Sequence, residues 1–508
     1  MAMNSTNISA TPGSVEVKGY VRKRAQMALV RKEKLYALID EASFDETGQD
    51  IGDILILDTI SKAMADLAAR TFKRSQSFAS VEAWDPKVFR LTKTDRRKFL
   101  DATPSLDTHT WLELTVCEPG EGALTLMPVV LGTGADDLPQ GSDDPTTILP
   151  KIRRVSGRNA EALDTLAMLA GLEESTEQAI QEEVDRALPK SEFQARVAVY
   201  DVGQANCNAV IDSDFQPLVY FDMGWPWSRY TTPPTKPDLL QQENPAPVLL
   251  SHWDFDHWSF ALEKTGSNGN GLKVKNDALN RFWIARKPLV KEHKLGPSHI
   301  AFAIELLKKK KLLIWPENIP SIATYHIQLF ACKPPIGSGL PNDRNNNGLA
   351  MLVLRATGNI LLTGDADYSA ITGHLQNKCA TENLHGMVLP HHGGALKTPP
   401  PELPYGQYAH AVVSSHPANT YGHPRADELI KCMSAGWQLS FTMNAHITCG
   451  RTTIIPFGCT ENCPGKQYNA CRLEVYGVTK NWIGGVHVHC EALEKRLPTK
   501  KFQCQIKI

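Results

Sequence analysis

The chain has 508 residues, of which 42% are apolar and 21% are charged. This is the composition of a globular protein, so it argues against intrinsic disorder, a collagen-like fibre and a small disulfide-stabilised scaffold. The 54 Lys and Arg residues balance the 55 Asp and Glu residues, so the formal net charge of -1 gives no reason by itself to expect nucleic-acid or membrane binding. At roughly 100 to 200 residues per domain, we expect two to four domains.

The chain also has few features of secreted or membrane proteins. Its first residues contain no apolar stretch flanked by basic residues, and no run of about 18 uncharged apolar residues occurs. Of the 11 cysteines, five are spread singly between residues 117 and 432, which predicts reduced thiols instead of a disulfide framework. We therefore expect a soluble cytoplasmic protein with no membrane partner.

The first part of the chain has a polar start followed by helix-like patterns. Residues 1–17 are small and polar without periodicity, which predicts a flexible tail. Apolar spacings of three and four residues predict helices over residues 21–42, 59–72 and 161–188.

Strand signals lie between these helices. Residues 111–132 alternate in polarity around a Pro-Gly break and predict a β-hairpin, whereas the acidic, turn-rich residues 133–150 predict a loop. We therefore expect an α+β domain over residues 18–190. Its role is open, and binding a protein partner or a second copy of the chain is one hypothesis.

The sequence pattern changes at residue 196, where short strands rich in β-branched and aromatic residues begin. Helices are predicted over 299–311 and 425–435. Strands mixed with helices indicate an α/β layered domain over residues 195–435, with a Cys-rich extension at 436–508 packed on it. Further strands are predicted at residues 248–250, 327–331, 350–355, 360–363, 387–389 and 411–414.

A short loop after the apolar strand at 248–250 carries the strongest chemical signal. Four metal-capable side chains lie within six residues: His252, Asp254, Asp256 and His257. Aromatic residues between and after them argue against a fully solvated loop, and buried imidazoles and carboxylates need a partner once they leave water. A bound cation is such a partner.

Three later segments also place a candidate ligand after a strand or in a turn. Asp365 follows the apolar run GNILLTG, His391 and His392 follow VLP, and His423 lies in the turn NTYGHP. Strand ends are where the sites of α/β folds usually lie, and the glycine before Asp365 allows a tight turn. Each segment alone is more typical of a structural turn or a surface histidine than of a metal site.

Taken in order, the segments DVGQ, SHWDFDH, NNNGLAMLVL with LLTGDAD, LPHHGG and NTYGHP resemble the metallo-β-lactamase superfamily. Within it they are most similar to the β-lactamase-like domain of the ComEC DNA-uptake proteins. The resemblance covers residues 195–435 and implies an αββα sandwich of two sheets with helices outside and a metal site at one edge. It implies nothing for residues 1–190.

The resemblance also implies ligand roles. His252 and Asp254 match ligands of a first ion, Asp256 and His257 match ligands of a second, and Asp365 matches the bridging carboxylate. His391 and His423 match the histidines of the last two motifs. Two departures stand out, because LPHHGG replaces the usual PHHGS and the separate histidine found between the second and fourth motifs in many relatives has no evident counterpart.

These assignments suggest a hydrolytic mechanism with two divalent ions. Such a pair lowers the pKa of a bridging water and stabilises the attacking and leaving oxygens of an in-line displacement at phosphorus. Asp256 would orient or deprotonate the water, and His392 or His423 would contact the scissile phosphate or the leaving oxygen. Because Asp254 supplies an oxygen ligand, the site favours manganese or magnesium more than an all-histidine site would. Zinc also remains compatible with these ligands.

Positive charge is concentrated after the metal loop. Residues 264–311 contain 12 Lys or Arg and three acidic residues, a surplus of nine positive charges that a phosphate backbone would match. The alternative is an ordinary solvated helix face. The candidate substrate-binding residues are Lys273, Lys275, Arg281, Arg286 and Lys287.

Six cysteines lie near the end of the sequence. Four of them, Cys449, Cys459, Cys463 and Cys471, have a spacing that a structural zinc site would accept. A C-x3-C pair is less diagnostic than two C-x2-C units, so buried free thiols are the competing interpretation.

Three functional hypotheses follow from these patterns. The first is a metal-dependent phosphodiesterase or nuclease that cleaves DNA or RNA through a metal-bridged hydroxide. The second is a hydrolase of a small substrate such as a cyclic nucleotide, lactone or thioester. The third is a binding protein with a degenerate site.

Overall fold

The structure is a computed structural model. The residues it describes are 33–442, apart from 45–49, 76, 82–83, 92, 104–109, 130–144, 190–195, 213, 215, 227–238, 240–244, 266–270, 291–292, 356–357, 376–383, 404–408 and 417–420, together with strands at 447–449, 452–454 and 485–488. The predicted tail over residues 1–17 lies outside this set.

Two seven-stranded mixed sheets form the centre of the molecule. The first has the order β15-β14-β11-β10-β9-β8-β25, in which β15, β14, β11 and β10 are parallel and the remaining pairs are antiparallel. Its strands are β8 (Arg196–Tyr200), β9 (Cys207–Ile211), β10 (Pro217–Met223), β11 (Val248–Leu249), β14 (Trp283–Ala285), β15 (Leu312–Ile314) and β25 (Gly485–Val488).

The second mixed sheet has the order β16-β17-β18-β19-β20-β21-β22. Its antiparallel part runs from β16 to β19, and its parallel part runs from β19 to β22. The strands are β16 (Ser321–Ala323), β17 (Ile327–Ala331), β18 (Leu349–Val353), β19 (Asn359–Leu362), β20 (Leu384–Val388), β21 (His410–Val413) and β22 (Gln438–Phe441).

The two sheets pack face to face. Successive side chains of a strand point to opposite faces, so Val197 and Val199 enter the core between the sheets while Ala198 and Tyr200 face outward. Helix α4 (Glu177–Ala187) adds Ile180 and Val184 to the same core, although it precedes residue 195.

Helices cover the outer faces. On the first sheet the cover is α6 (Pro297–Lys308), and on the second it is α7 (Tyr368–Leu375) and α8 (Ala426–Ser434). The layer order helix, sheet, sheet, helix agrees with the predicted αββα sandwich. A small hairpin of β12 (Leu262–Thr265) and β13 (Gly271–Val274) and the short helix α5 (Asn276–Leu279) lie between the metal loop and β14.

The N-terminal region is an antiparallel sheet with three helices. The strand order is β6-β5-β3-β2-β1-β4-β7, and each described pair is antiparallel. The elements are β1 (Lys34–Phe44), β2 (Asp50–Ser61), α1 (Lys62–Ser75), β3 (Pro86–Leu91), α2 (Lys93–Ala102), β4 (Leu112–Thr115), β5 (Leu124–Pro128), β6 (Thr146–Ile148), β7 (Arg153–Arg154) and α3 (Arg158–Ala167).

Three expectations for this region need correction. The helix predicted over residues 21–42 is wrong from residue 34 onward, where β1 begins, and residues 21–32 lie outside the described set. The hairpin predicted over 111–132 is wrong in its pairing, because β4 pairs with β1 and β7 while β5 pairs with β3 and β6. The predicted loop at 133–150 contains strand β6.

Other expectations are confirmed in position. The predicted helix at 59–72 corresponds to α1, whose start is later because β2 continues to Ser61. The segment 161–188 forms two helices, α3 and α4.

One face of the N-terminal sheet packs on the sandwich. Tyr36 and Leu38 from β1 belong to the same buried cluster as Ile300 and Phe302 from α6. Asp58 on β2 is buried and accepts hydrogen bonds from the backbone N and Oγ of Ser298, both at 2.8 Å, at the first turn of α6. Gly296 is required there, because a Cβ would lie 2.3 Å from Asp58 Oδ2.

The C-terminal extension is described only in part. Strand β25 pairs with β8, and β23 (Ile447–Cys449) pairs with β24 (Thr452–Ile454). Cys449 ends β23, whereas Cys459, Cys463 and Cys471 lie outside the described residues, so the zinc hypothesis stays a prediction.

Candidate metal centre

The candidate ligands converge at one edge of the sandwich, where parallel strands of both sheets end. The loop carrying His252 to His257 follows β11, and Asp365 follows β19. His391 and His392 follow β20. Because the carboxyl ends of parallel strands meet at the same edge of a sheet, loops far apart in sequence come together there.

The metal loop folds around its aromatic residues. Phe255 and Trp258 are buried, and the chain makes a single 3-10 turn over Phe255–His257 in which His257 N donates to Asp254 O at 3.0 Å. The buried rings hold the loop against α6, where Trp258 stacks on Phe302 with ring centroids 4.6 Å apart. The polar side chains are left facing the sheet edge.

Asp365 lies between two sets of ligand atoms. Its Oδ2 is 4.0 Å from His252 Nε2 and 4.0 Å from His391 Nε2, whereas its Oδ1 is 3.3 Å from His257 Nε2. Each carboxylate oxygen therefore faces a different group of imidazoles, as a bridging ligand would.

The two aspartates of the metal loop divide between these sets. Asp254 Oδ2 is 3.2 Å from His252 Nε2, and Asp256 Oδ1 is 3.7 Å from His257 Nε2. The other oxygen of Asp256 is 3.1 Å from His392 Nε2. We call the atoms around His252 and Asp254 the first position and those around His257 and Asp256 the second position.

Asp222 fixes the orientation of the imidazoles from behind. It is fully buried at the end of β10, and its Oδ2 accepts from His257 Nδ1 and from Ser251 Oγ, both at 2.8 Å. Since the hydroxyl proton of Ser251 goes to Asp222, Ser251 Oγ is left to accept from His252 Nδ1 at 3.0 Å. Both histidines therefore carry their proton on Nδ1 and turn the Nε2 lone pair toward Asp365.

The two histidines after β20 have an unusual backbone. His391 and His392 have φ values of 52° and 54°, in the left-handed region that non-glycine residues rarely adopt. This conformation directs His392 Nδ1 to the carbonyl oxygen of Ser414 at 2.7 Å and leaves its Nε2 toward the second position. Gly364 also has a left-handed φ of 57°, and a Cβ there would lie 2.6 Å from Ser251 Cβ.

His423 lies beside these residues. Its ring centroid is 4.9 Å from that of His391 and 6.4 Å from that of His392. Burial lowers the pKa of His423 well below its usual value, and the nearby His391 and His392 lower it further. A neutral imidazole is the form that binds a metal ion.

The pKa shifts of the centre reflect its concentration of opposite charges. Burial by itself would raise the pKa of Asp365, but His257 and His392 outweigh it and hold the pKa well below the usual range. Burial would lower the pKa of His257, but Asp365, Asp222 and Asp256 raise it well above its ordinary value. The carboxylates around His257 Nε2 therefore attract positive charge.

The residues present fit a metal ion. Among the described residues, two groups bring ligand atoms within 4.8 Å of one another: His252 with His257 and Asp365, and Asp256 with His257 and His392. The Nε2 atoms of His252 and His257 and Oδ1 of Asp365 are buried without a hydrogen-bond partner. Buried lone pairs that face carboxylates need a cation between them.

The predicted substrate-binding residues have other partners in the structure. Arg281 is 1% exposed and donates to the carbonyl oxygens of Asp277 and Ala246. Arg286 donates to the carbonyl oxygens of Cys332 and Asn347, and Lys287 pairs with Glu174. All three cations are therefore paired with groups of the protein itself, and these contacts stabilise the fold.

The two lysines of this set lie near the β12–β13 hairpin. Lys273 pairs with Glu263 at 3.3 Å, and its side chain is 56% exposed. Lys275 donates to Phe260 O and lies over the Phe260 ring, 4.3 Å from its centroid. Of the five predicted residues, Lys273 is therefore the one best placed to meet a ligand from solvent.

Sequence reasoning missed Asp222 and Arg344. Asp222 lies near the end of the apolar strand segment PLVYFDMG, and a carboxylate within an apolar strand was the signal that could have identified it. Arg344 Nε lies 3.0 Å from Asp254 Oδ1, and only the run of polar residues PNDRNNN marked its loop.

The fold and this centre together define an α/β sandwich with a His and Asp metal-type site. The sequence matches no protein-family model and no curated protein. Among solved structures it is similar to Tm1679, a metal-dependent hydrolase of the β-lactamase superfamily, with 12% identity, 49% of this chain and 95% of that chain covered, and a TM-score of 0.28.

A second similar structure is a mutant of CmlA β-hydroxylase. Its identity is also 12%, with 63% of this chain and 68% of that chain covered and a TM-score of 0.28. None of the helices in the described part of the chain has the length and apolar character needed to cross a membrane.

Proposed function

We propose that this chain is a metal-dependent hydrolase of the metallo-β-lactamase type and that it cleaves phosphodiester bonds, with a DNA or RNA strand as substrate. The observation that carries the proposal is the position of Asp365, whose two oxygens face two separate sets of imidazole and carboxylate atoms. A carboxylate shared in this way suits two neighbouring divalent ions.

The residues divide between the two ions as follows. His252, Asp254 and Asp365, with His391 nearby, would hold one ion, and Asp256, His257 and Asp365, with His392 beside Asp256, would hold the other. His423 borders the pair, and its ring is nearer to His391 than to His392. When bound, such a pair supplies Lewis acidity toward phosphoryl oxygens and lowers the pKa of water. The many carboxylate ligands favour manganese or magnesium, and the imidazoles keep zinc compatible.

His392 is the best candidate for contact with the leaving oxygen. Its Nδ1 donates to Ser414 O at 2.7 Å, which fixes the ring and turns Nε2 toward the second position, 3.1 Å from Asp256 Oδ2. From there Nε2 would lie beside the oxygen that leaves phosphorus, while Asp256 would orient the attacking water.

One exposed lysine near the metal loop supports a polyanionic substrate. Lys273 is exposed on the hairpin that follows the metal loop in sequence. Lys309 and Lys310 are also exposed, but they precede β15 and therefore lie at the sheet edge opposite the candidate centre. Phosphate backbones bind to such cations by counterion release.

The contacts of Arg281, Arg286 and Lys287 favour a second candidate function. Because these cations already pair with groups of the protein, less positive charge is available for a long strand. A small phosphodiester or ester, such as a cyclic nucleotide, lactone or thioester, needs only the centre itself.

The first experiment measures cleavage by the full-length protein with Mn²⁺. The substrates are linear, circular and single-stranded DNA, RNA, and bis(p-nitrophenyl) phosphate. We expect cleavage that is lost in His252→Ala and Asp256→Asn and retained in Asp427→Asn, a surface variant. If no substrate is cleaved, or if cleavage survives both site variants, the proposal fails.

A second experiment separates the two candidate functions. The variant Lys273→Glu is compared with the unmodified protein, and with the control variant Lys309→Glu/Lys310→Glu at the opposite sheet edge, on DNA and on bis(p-nitrophenyl) phosphate. Loss confined to DNA favours the nuclease. Unchanged activity on both, with the higher rate on the small substrate, favours the small-molecule hydrolase.

A further inference from the structure

The two ion positions have unequal charged surroundings. At the second position, Asp256 pairs with His392 and Asp222 supports His257 from behind, so two carboxylates besides Asp365 would attract an ion there. At the first position, Asp254 is the ligand carboxylate besides Asp365, and Asp343 is a second carboxyl close enough to interact with Asp254 and His391. Arg344 Nε lies 3.0 Å from Asp254 Oδ1. The positive charge of Arg344 offsets the negative charge that Asp254 brings.

The loop that carries Arg344 is built to hold it there. His293 Nε2 donates to Asn342 O at 2.6 Å, and Arg286 donates to Asn347 O at 2.7 Å. From the other side, the backbone N of Asp367 donates to Asn346 Oδ1 at 3.0 Å. Three separate segments therefore fix the loop, and the pair between Arg344 and Asp254 is a defined feature of the fold.

Exposure differs between the positions chiefly at one histidine. The loop aspartates are similarly exposed, at 32% for Asp254 and 27% for Asp256, and His252 and His257 are both buried. His391 at the first position is 36% exposed, whereas His392 at the second position is 2% exposed. Electrostatic attraction is stronger where water is excluded, so burial and charge both favour the second position for a cation.

We propose, on the basis of the proposed function, that Arg344 makes the two ion positions unequal. The second position fills first and retains its ion. The first position binds a more weakly held, exchangeable ion, because Arg344 repels it and occupies one oxygen of Asp254. Arg344 is thus a positioning residue that makes the filling of the centre depend on the free concentration of divalent metal.

The test is a calorimetric titration of the metal-free full-length protein with Mn²⁺, without substrate. We expect two unequal binding steps. Arg344→Gln removes the charge and retains an N–H donor, so it tightens the weaker step about tenfold, as expected for a unit charge near a divalent ion under water-like screening. It leaves the stronger step unchanged.

Three further variants complete the series. Arg344→Lys retains the charge and keeps the weaker step close to that of the unmodified protein. Asp254→Asn removes the weaker step alone. Arg186→Gln, which removes a surface arginine paired with Glu183 on α4, changes neither step. Thermal melting of each metal-free variant verifies that it is folded before titration.

The outcomes decide the inference in either direction. Two steps of equal affinity, or a weaker step that Arg344→Gln leaves unchanged or weakens, would overturn it, as would loss of the stronger step in Asp254→Asn. A single step that becomes two in Arg344→Gln supports it, whereas a single step in both proteins overturns it. Unequal binding without any hydrolysis contradicts only the proposed function, and hydrolysis with equal steps contradicts only the role of Arg344.

Discussion

The N-terminal sheet and the two sheets of the sandwich are all seven-stranded, but they use their strands differently. The N-terminal sheet is antiparallel in every described pair, so consecutive loops leave from opposite edges. Each sandwich sheet has a parallel part, and these parts end together at the candidate centre. The difference explains why ligand-bearing loops gather in the sandwich, while the N-terminal sheet contributes a packing face to α6.

We therefore expect that the sandwich needs the N-terminal sheet in order to fold, but not in order to bind metal or catalyse hydrolysis. The strongest test is a fragment of residues 195–508, which lacks the cover over α6 and also the α4 residues Ile180 and Val184. We expect it to be insoluble or to lack cooperative unfolding, because large apolar surfaces become exposed. Expression, followed by thermal melting of any soluble fraction, measures this.

A longer fragment serves as the control. Residues 172–508 restore α4 but not the N-terminal sheet, so we expect this fragment to be only partly rescued. If residues 195–508 alone fold and bind Mn²⁺ like the full-length protein, the sheet is dispensable and the comparison fails.

The largest expected effect of a single substitution is on Asp365. Asp365→Asn removes the charge that faces both ion positions, so we expect hydrolysis to fall about a thousandfold or more, since metal ions contribute several kcal/mol to catalysis. Binding of both Mn²⁺ ions should weaken together in calorimetry. Selective loss of one ion would contradict the shared role of this carboxylate.

Asp222→Asn tests the support behind the imidazoles. The variant keeps the size of the side chain but weakens its hold on His257 and Ser251, and loss of such a partner typically lowers metal affinity by about 10- to 100-fold. Calorimetry with Mn²⁺ measures the change. Asp427→Asn, at an exposed aspartate paired with Arg425, should leave the affinity unchanged.

The layered core of the sandwich and the metal loop were predictable for a common physical reason. Each predicted ligand group before His423 follows an apolar strand, and apolar strands flanked by polar loops are the clearest pattern that a sequence offers. The N-terminal region lacked this clear pattern of apolar strands and polar loops. In β1, Leu35 and Ala37 face one buried cluster while Tyr36 and Leu38 face another, so burial of both faces removes the alternation typical of a strand.

The order of the strands in the N-terminal sheet was the other feature that the sequence did not predict. β4 and β5 are close in sequence, yet β1, β2 and β3 lie between them in the sheet. The roles of Asp222 and Arg344 also depend on contacts between distant segments, from β10 to the metal loop and from residue 344 to residue 254. A local pattern contains no information about such partners.

The sandwich also predicts a pH dependence of stability that centres on His410 on β21. Burial lowers the pKa of His410 to about 4. In the unfolded chain the histidine takes up a proton near pH 6.5, whereas in the folded protein it stays neutral until about pH 4. Stability is therefore lost as the pH falls through this window, by about 2 kcal/mol between pH 7 and pH 5.

Urea unfolding at the two pH values, compared with His410→Gln, isolates this contribution. The variant should lose less stability on acidification than the unmodified protein. Equal losses would indicate that His410 is protonated in the folded state.

The smallest expected effect belongs to the contact between the two regions. Asp58→Asn weakens the acceptor at the first turn of α6, so we expect the free energy of unfolding to fall by about 1 kcal/mol, in the range of helix N-caps. Affinity for Mn²⁺ should stay unchanged in this variant. A large loss of metal affinity would mean that α6 transmits strain to the metal loop. The N-terminal sheet would then affect metal binding as well as folding, contrary to our expectation.

The buried cluster shared by the N-terminal sheet, α6 and the sandwich also has a consequence for synthesis. A chain emerging from the ribosome presents β2 and β3 early, but α6, which packs on them, begins only at residue 297. α1 packs on β1 and β2 soon after they emerge, but the part of the face that α6 covers stays open until then, and such apolar faces aggregate readily. Chaperone binding to nascent chains of intermediate length, and its loss once α6 has emerged, is the expected signature of this late closure.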